Sequence, residues 1–320
     1  MNKDIWYDHF LKSLYEKYPK KGKLAEALMD LLCIEREAAY RRLRKDVAFP
    51  FQEILKIAFT WNISLNEIVG INAKNVPFFM RQLSYLNPSE MELDALRETT
   101  QVLQKVIPSF DNEYMEICNK LPRSLIANFT SLNKFYLFKW EYQYGNEETA
   151  LPYFKTIIPE KMHKAMVNYY MAIKNVTTLN YIFDHMLFDF LVCDVRYFHS
   201  IKLITDEEKE LIKQDIHSLL DYMSEVASKG YYKVPENKVN IYISRINIDT
   251  NYSYLYTKLC KICRIHVFSK YEIYSTDIEM VNRFKKWMQL KKRTSIQISE
   301  VDEIARIEYF TRQRQLVDSL

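Results

Sequence analysis

The sequence predicts a mainly α chain, with five short helices in the first seventy residues, a helical region to about residue 230, and an α+β segment beyond it. Three observations predict this class. Glycine is scarce: there are four, at 22, 70, 145 and 230, where average usage of roughly 7% would supply about twenty. Apolar residues recur at helical spacing, several times just after a Ser or Thr that is followed three residues later by Glu. Beyond Gly230 the apolar period shortens to two, the period of a half-buried strand.

Taken in order, Ile5, Trp6, Phe10 and Leu14 mark a first helix, broken by Pro19 and Gly22. Leu24, Ala27, Leu28, Leu31 and Leu32 mark a second, and residues 35–45 a third. Pro50 suits the first turn of a fourth helix, with Phe51, Ile54, Leu55, Ala58 and Phe59 expected as its buried side. Ser64 with Glu67 opens a fifth, ending near Gly70, and a boundary is expected at "GINAKNVP". Ser89 with Glu92 caps a helix towards Val106, and Thr205 with Glu208 caps one that stops before Gly230. Pro108, Pro122, Pro152 and Pro159 segment further helices rich in Phe and Tyr. After Gly230, "VNIYISRINI" and "CRIHVFSKYEIYS" predict strands, residues 277–293 a helix, "TSIQIS" a strand and 300–317 a last helix. The expected organisation is a domain at 1–72, a helical region at 75–230 and an α+β segment at 231–320 for dimerisation or sensing.

The net charge of +4 is mild, and residues 1–75 carry 13 basic against 10 acidic side chains. That balance permits nucleic-acid binding without demanding it. Phosphate-cradling loops and dinucleotide fingerprints need clustered glycines, so four isolated ones exclude them, along with a GxSxG nucleophile turn. Lys3, Asp4 and Asp8 interrupt the N-terminus, and Asp184, Asp189 and Asp194 interrupt the greasiest stretch, so neither a signal core nor a membrane span is expected. Five scattered cysteines suit a reducing cytoplasm better than a disulfide framework.

"CIEREAAYRRLRKD", Cys33 to Asp46, is the most informative stretch. At 100° per residue, Ala39, Tyr40 and Leu43 form a narrow buried stripe, while Glu37, Ala38, Arg41, Arg42 and Lys45 cover the opposite face. Small and cationic groups on the outward side suit a DNA major groove. Arginine there reaches guanine O6 and N7, and a carboxylate accepts from cytosine N4. "LAEALMDLLCIEREAAYRRLRKD" followed by "FPFQEILKIAFTWNISLNEIVG" resembles the five-helix DNA-binding domain of Cro/C1-type (XRE-like) helix-turn-helix bacterial regulators, over about the first seventy residues. The resemblance implies recognition-helix roles for Arg36, Glu37, Ala38, Arg41 and Arg42, and a phosphate role for Lys45. It has three departures: Cys33 stands at the usual turn glycine, Glu35 at the usual Ser/Thr cap, and Met29 at the usual alanine.

Other motifs have blander readings. Cys260 and Cys263 have CxxC spacing, with His266 the only nearby third ligand, and are expected as ordinary thiols near a strand start. His185 and Asp189 would share a helix face but lack a third ligand of recognisable spacing. "RFKKWMQLKKR", residues 283–293, carries six basic groups in the C-terminal half of a helix, where cations oppose the macrodipole, so a solvated face is expected. Tyrosine clusters such as "NYYMAIKN", "DVRYFH" and "NYSYLY" are expected in the core.

The expected function is therefore a cytoplasmic, sequence-specific DNA-binding transcriptional regulator. Its expected partners are double-stranded DNA and a second copy of the chain, with a possible small-molecule effector of unknown identity. No enzymatic activity, cofactor, metal or membrane partner is expected. The alternative is a protein-interaction or RNA-binding module using the same helical domain without duplex readout.

Overall fold

The computed structural model describes residues 5–68, 78–82, 90–105, 112–144, 151–232, 237–267 and 271–320. The chain divides into two compact units, Met1–Pro77 and Phe78–Leu320. Among the described residues no helix is long and apolar enough to cross a membrane.

The first unit contains α1 (Ile5–Lys17), α2 (Lys21–Leu32), α3 (Arg36–Leu43), α4 (Phe51–Trp61) and α5 (Leu65–Ile68). Phe10, Leu14, Leu24, Leu28, Ala39, Leu43, Phe49 and Ile57 form its core. Cys33, joining α2 to α3, adopts the left-handed conformation with φ 54°. A side chain with a Cβ is strained there, whereas glycine is not. Cys33→Gly is expected to stabilise the first unit by about 0.5–1 kcal/mol, the relieved strain less the entropy glycine adds to the unfolded chain. Chemical denaturation followed at Trp61 checks this; a lowered midpoint would show that the thiol contributes packing that outweighs the strain.

The expected buried side of α4 is corrected. Ile57 and Ala58 are buried and Ile54 is half-buried, but Phe51, Leu55 and Phe59 are 69%, 42% and 91% exposed. Apolar residues cover about 200° of this helix at 100° per residue, roughly twice the width of one core stripe. The core takes only the 54–57–58 part. Ser64 opens α5, but the Glu67 side chain lies outside the described residues, as do all of "GINAKNVP" with its Gly70, Ser89, the Glu92 side chain, Val106, Pro108 and Gly145.

The second unit overturns the expected mainly α class. It is built on an eight-stranded mixed sheet of order β1-β7-β6-β5-β2-β3-β4-β8, with β1 Phe79–Gln82, β2 Glu113–Cys118, β3 Thr178–Asp184, β4 Lys238–Ser244, β5 Tyr252–Tyr256, β6 Lys261–Val267, β7 Tyr271–Ser275 and β8 Ser295–Gln297. Three of these strands come from the stretch expected to be helical. β2, β3 and β4 run parallel and the other pairings are antiparallel. Such parallel strands need long crossovers. α7 (Arg123–Ile126), α8 (Thr130–Tyr144) and α9 (Glu160–Ile173) link β2 to β3, and α10 (Leu187–Ser200) and α11 (Asp206–Lys229) link β3 to β4.

β2 and β3 are buried along nearly their whole length, because the larger core lies on one face, with Tyr114, Tyr181, Phe183, Val192 and Leu219, and a smaller one on the other, with Met115, Ile117, Ile182 and Phe284. α12 (Ile278–Lys291) covers the second face, and α13 (Glu303–Asp318) packs with α10 and α11. α6 (Glu90–Gln104) packs on α9. Thr205 and Glu208 form a reciprocal capping box at the start of α11. Gly230 ends that helix at φ 71°, where a Cβ would meet the Glu300 side chain.

Candidate nucleic-acid interface

α3 has the sequence REAAYRRL, in which small apolar and long charged side chains alternate around two turns. Ala39 and Leu43 are buried in the cluster that holds Leu24 and Leu28 of α2, fixing one side of the helix. Glu35 occupies the N-cap in extended conformation and makes no side-chain cap bond.

The six residues singled out by sequence divide into three groups. Arg36 and Arg41 are exposed, and the Arg41 side chain has no hydrogen bond or ion pair among the described residues. The Arg36 guanidinium lies 5.8 Å from the centroid of the Tyr40 ring, and the Lys21 ammonium approaches the same ring at 5.9 Å. Ala38 is half-buried and lies next to Arg41 on the helix surface, on the side away from Arg36. Glu37 accepts from Arg44 Nη2 at 2.7 Å, and Arg44 Nε donates to Asp46 at 2.9 Å. Lys45, at φ 65°, is exposed and ion-paired with Asp8. Arg42 is different. Its Nε and Nη2 donate to the two Glu53 carboxylate oxygens, each at 2.8 Å, and its guanidinium sits 5.8 Å from the Phe49 ring centroid. A bidentate, half-buried pair of this kind braces α3 against α4 and does not face solvent.

Sequence reasoning did not assign Glu53, nor the lysines that open α2. Lys20 is the N-cap of α2, Lys21 and Lys23 lie in its first turn, and no acid accompanies them. Cations at a helix N-terminus oppose the macrodipole, so this placement costs helix stability. An approaching phosphate would be favoured by the lysines and the dipole together. The run "KKGK" was the available signal.

The remaining motifs fall elsewhere. Lys285 of α12 pairs with Glu113 at 2.6 Å, and Lys292, just past the end of that helix, donates from Nζ to Asn180 Oδ1 at 2.8 Å, so two of the six cations in 283–293 point into the fold. Arg283 pairs with Glu279, and Lys291 lies 5.1 Å from the Trp287 ring. Cys263 is buried with its thiol towards Ser275 O at 3.7 Å, and burial pushes both Cys260 and Cys263 up, away from reactive thiolate. His266 lies on β6. Asp189 opens α10 and faces Arg312 at 3.5 Å, while His185 precedes the helix. Among the described residues no group of three or more His, Cys, Asp or Glu could hold a metal. Of the tyrosine clusters, Tyr170 is buried against the Tyr222 hydroxyl at 2.7 Å, Tyr252, Tyr254 and Tyr256 build β5, and Tyr197 is exposed.

One titratable group in the second unit is unusual. Glu116 of β2 is buried; burial pushes its carboxyl up to about 7, against opposing hydrogen bonds from Tyr114 and Cys118 and the charge of Arg264. The Tyr114 hydroxyl donates to it at 2.6 Å. A carboxyl raised on folding contributes most to stability below its unfolded value, near 4.5, and that contribution fades as pH rises through about 7. Unfolding free energy is therefore expected to fall by up to about 3 kcal/mol between pH 5 and pH 8 through this group. Glu116→Gln should flatten that portion of the profile, measured by urea titration; an unchanged slope would place the titration on another group.

Comparison of the chain with protein-family models, with curated proteins and with solved structures found no match.

Proposed function

We propose that this chain is a sequence-specific DNA-binding transcriptional regulator whose α3 enters the major groove. The observation that carries the reading is the division of labour among the α3 arginines. Arg42 is spent on bracing the helix, while Arg36 and Arg41 remain exposed, and Arg41, opposite the buried Ala39 and Leu43, lies beside the small Ala38. A B-DNA major groove admits a helix of this size, and arginines so placed suit bidentate contact with guanine. Glu37 suits cytosine N4, provided Arg44 turns towards a phosphate. Lys20, Lys21, Lys23 and Lys45 suit phosphates, which set register and supply most of the salt-dependent affinity. The second unit takes the role of dimerisation or of sensing an unidentified effector, and the working compartment is the cytoplasm.

Selection of bound sequences from random duplexes, with the full chain, tests the reading. Enrichment of a consensus is expected, with two half-sites roughly 34–36 Å apart when two copies bind. A flat selection would remove duplex readout and leave the second reading, a protein-interaction or RNA-binding module. The apolar side chains exposed on α4 favour its protein-binding form.

A further inference from the structure

Where α12 ends over the parallel strands, more positive charge gathers than the fold neutralises. Lys285 and Glu113 pair at 2.6 Å and cancel each other. Lys292 Nζ donates only to the neutral Asn180 amide, at 2.8 Å, and stands 5.2 Å from the Tyr242 ring, so it lies over β3 and β4 without an acid of its own among the described residues. Lys238 opens β4 and is exposed. It shares a sheet face with Asn240 and Tyr242, two and four residues on, and so joins Lys292 on this side. Burial pulls the Lys292 ammonium below its usual range; Glu113 opposes the shift, and the like charges of Lys238 and Lys285 add to it. Three ammonium groups thus act on one another around a single carboxylate. Two positive charges are left over, and partial burial weakens the screening that water and salt give an exposed lysine. The floor beneath them is polar: Asn180 and Asn240 are 1% and 6% exposed, and Asn240 Nδ2 donates to Asn180 Oδ1 at 3.1 Å. An amide nitrogen has two N–H donors and an ammonium three, so Asn240 and Lys292 keep donors beyond the one bond each makes here.

We infer that Lys238 and Lys292, above the Asn180–Asn240 floor, bind a phosphate group. The charge count selects it. A phosphate monoester carries close to two negative charges above about pH 7, which matches the two left over here, whereas a carboxylate would neutralise one of them. The geometry suits it as well. Phosphate oxygens accept from several directions, which fits two flexible ammonium groups acting as point charges; a planar carboxylate is better met by the fork of an arginine. The group is either free phosphate or the phosphoryl end of a small metabolite. This names a chemical class for the effector assigned above to the second unit, and it rests on that reading for its role alone, because binding is measured without DNA.

Isothermal titration calorimetry of the full chain, in about 150 mM chloride at about pH 7.5, tests the inference with orthophosphate, AMP and glucose 6-phosphate as probes. Saturable binding at one site per chain is expected. Lys292→Met should raise the dissociation constant about tenfold or more, and Lys238→Met about threefold or more, the range for losing one charge-assisted bond. Lys286→Met, exposed on the same helix and not among the charges acting on Lys292, should leave it unchanged. Lys238 is exposed too, so its variant should keep the wild-type circular dichroism and melting temperature and carries the test even where Lys292→Met loosens the fold. Tighter binding of AMP would identify a nucleotide, tighter binding of glucose 6-phosphate a sugar phosphate, and equal binding of all three the bare phosphate group. The inference is overturned when none of the three saturates the chain, when affinity ignores both Lys238→Met and Lys292→Met, or when acetate binds as tightly as phosphate. A short duplex held through Lys238 and Lys292 while the three probes fail would overturn it as well, making the corner a nucleic-acid contact. A flat selection from random duplexes leaves this result untouched, and a chain that selects an operator but ignores every probe loses this inference alone.

Discussion

Glu272→Ala is expected to destabilise the second unit by about 3–5 kcal/mol, the cost of stranding a buried charge. Glu272 and Arg264 are both nearly inaccessible, and Arg264 Nε approaches Glu272 Oε1 at 3.4 Å. Arg81 of β1 donates to the same oxygen at 2.6 Å. The carboxylate therefore ties three strands, because β1 pairs with β7 and β7 with β6. Glu116, the other acid near Arg264, is mostly protonated below about pH 7 and offers little compensating charge there. The effect should thus be largest in mild acid. Arg264→Met with Glu272→Met is the informative control: replacing the pair by apolar groups of similar size removes charge and partner together, and should cost much less than the single alanine. Urea denaturation gives the free energies, and hydrogen exchange at β6 and β7 amides locates the loss. A cost under 1 kcal/mol for Glu272→Ala would mean that water reaches Arg264.

Two of the strands that escaped the sequence reading share a physical cause. β2 and β3 are central and parallel, with Tyr114 and Cys118 facing one core and Met115 and Ile117 the other. A strand buried on both faces loses the alternation that reveals a half-buried one. "TLNYIFD" then looks like part of an aromatic helix. β4, at 238–244, was legible because Val239, Ile241 and Ile243 keep the period. The caps of α11 were legible because Thr205, Glu208 and Gly230 act through neighbours three or four residues away. Arg42 was not, since its direction depends on Glu53, eleven residues on and in another helix. On α4 the apolar arc was visible, but which part of it the core would take depends on how the helix is rotated against α1–α3. Local chemistry is written in local sequence, and tertiary choices are not.

Arg36→Ala and Arg41→Ala together are expected to weaken binding to a selected operator by about 2–6 kcal/mol, at 1–3 kcal/mol for each bidentate base contact. Binding to random duplex should change far less, so the signature is reduced discrimination more than reduced affinity. Lys21→Ala should behave in the opposite way. Removing a phosphate-binding cation there weakens all sequences alike and shallows the slope of log affinity against log salt by about one unit. Arg42→Ala separates bracing from reading. It removes a bidentate pair and leaves Glu53 half-buried without its cation, so the first unit should lose about 1–2 kcal/mol of stability. Operator preference should survive at temperatures where that variant stays folded. The reverse pattern would reassign the face of α3 that meets DNA: preference abolished by Arg42→Ala and untouched by Arg41→Ala. For Arg42 to reach a base, its pair with Glu53 would have to open, and the binding free energy would carry the cost of that opening. An arginine already in solvent carries no such cost, which is why Arg41 is the stronger choice.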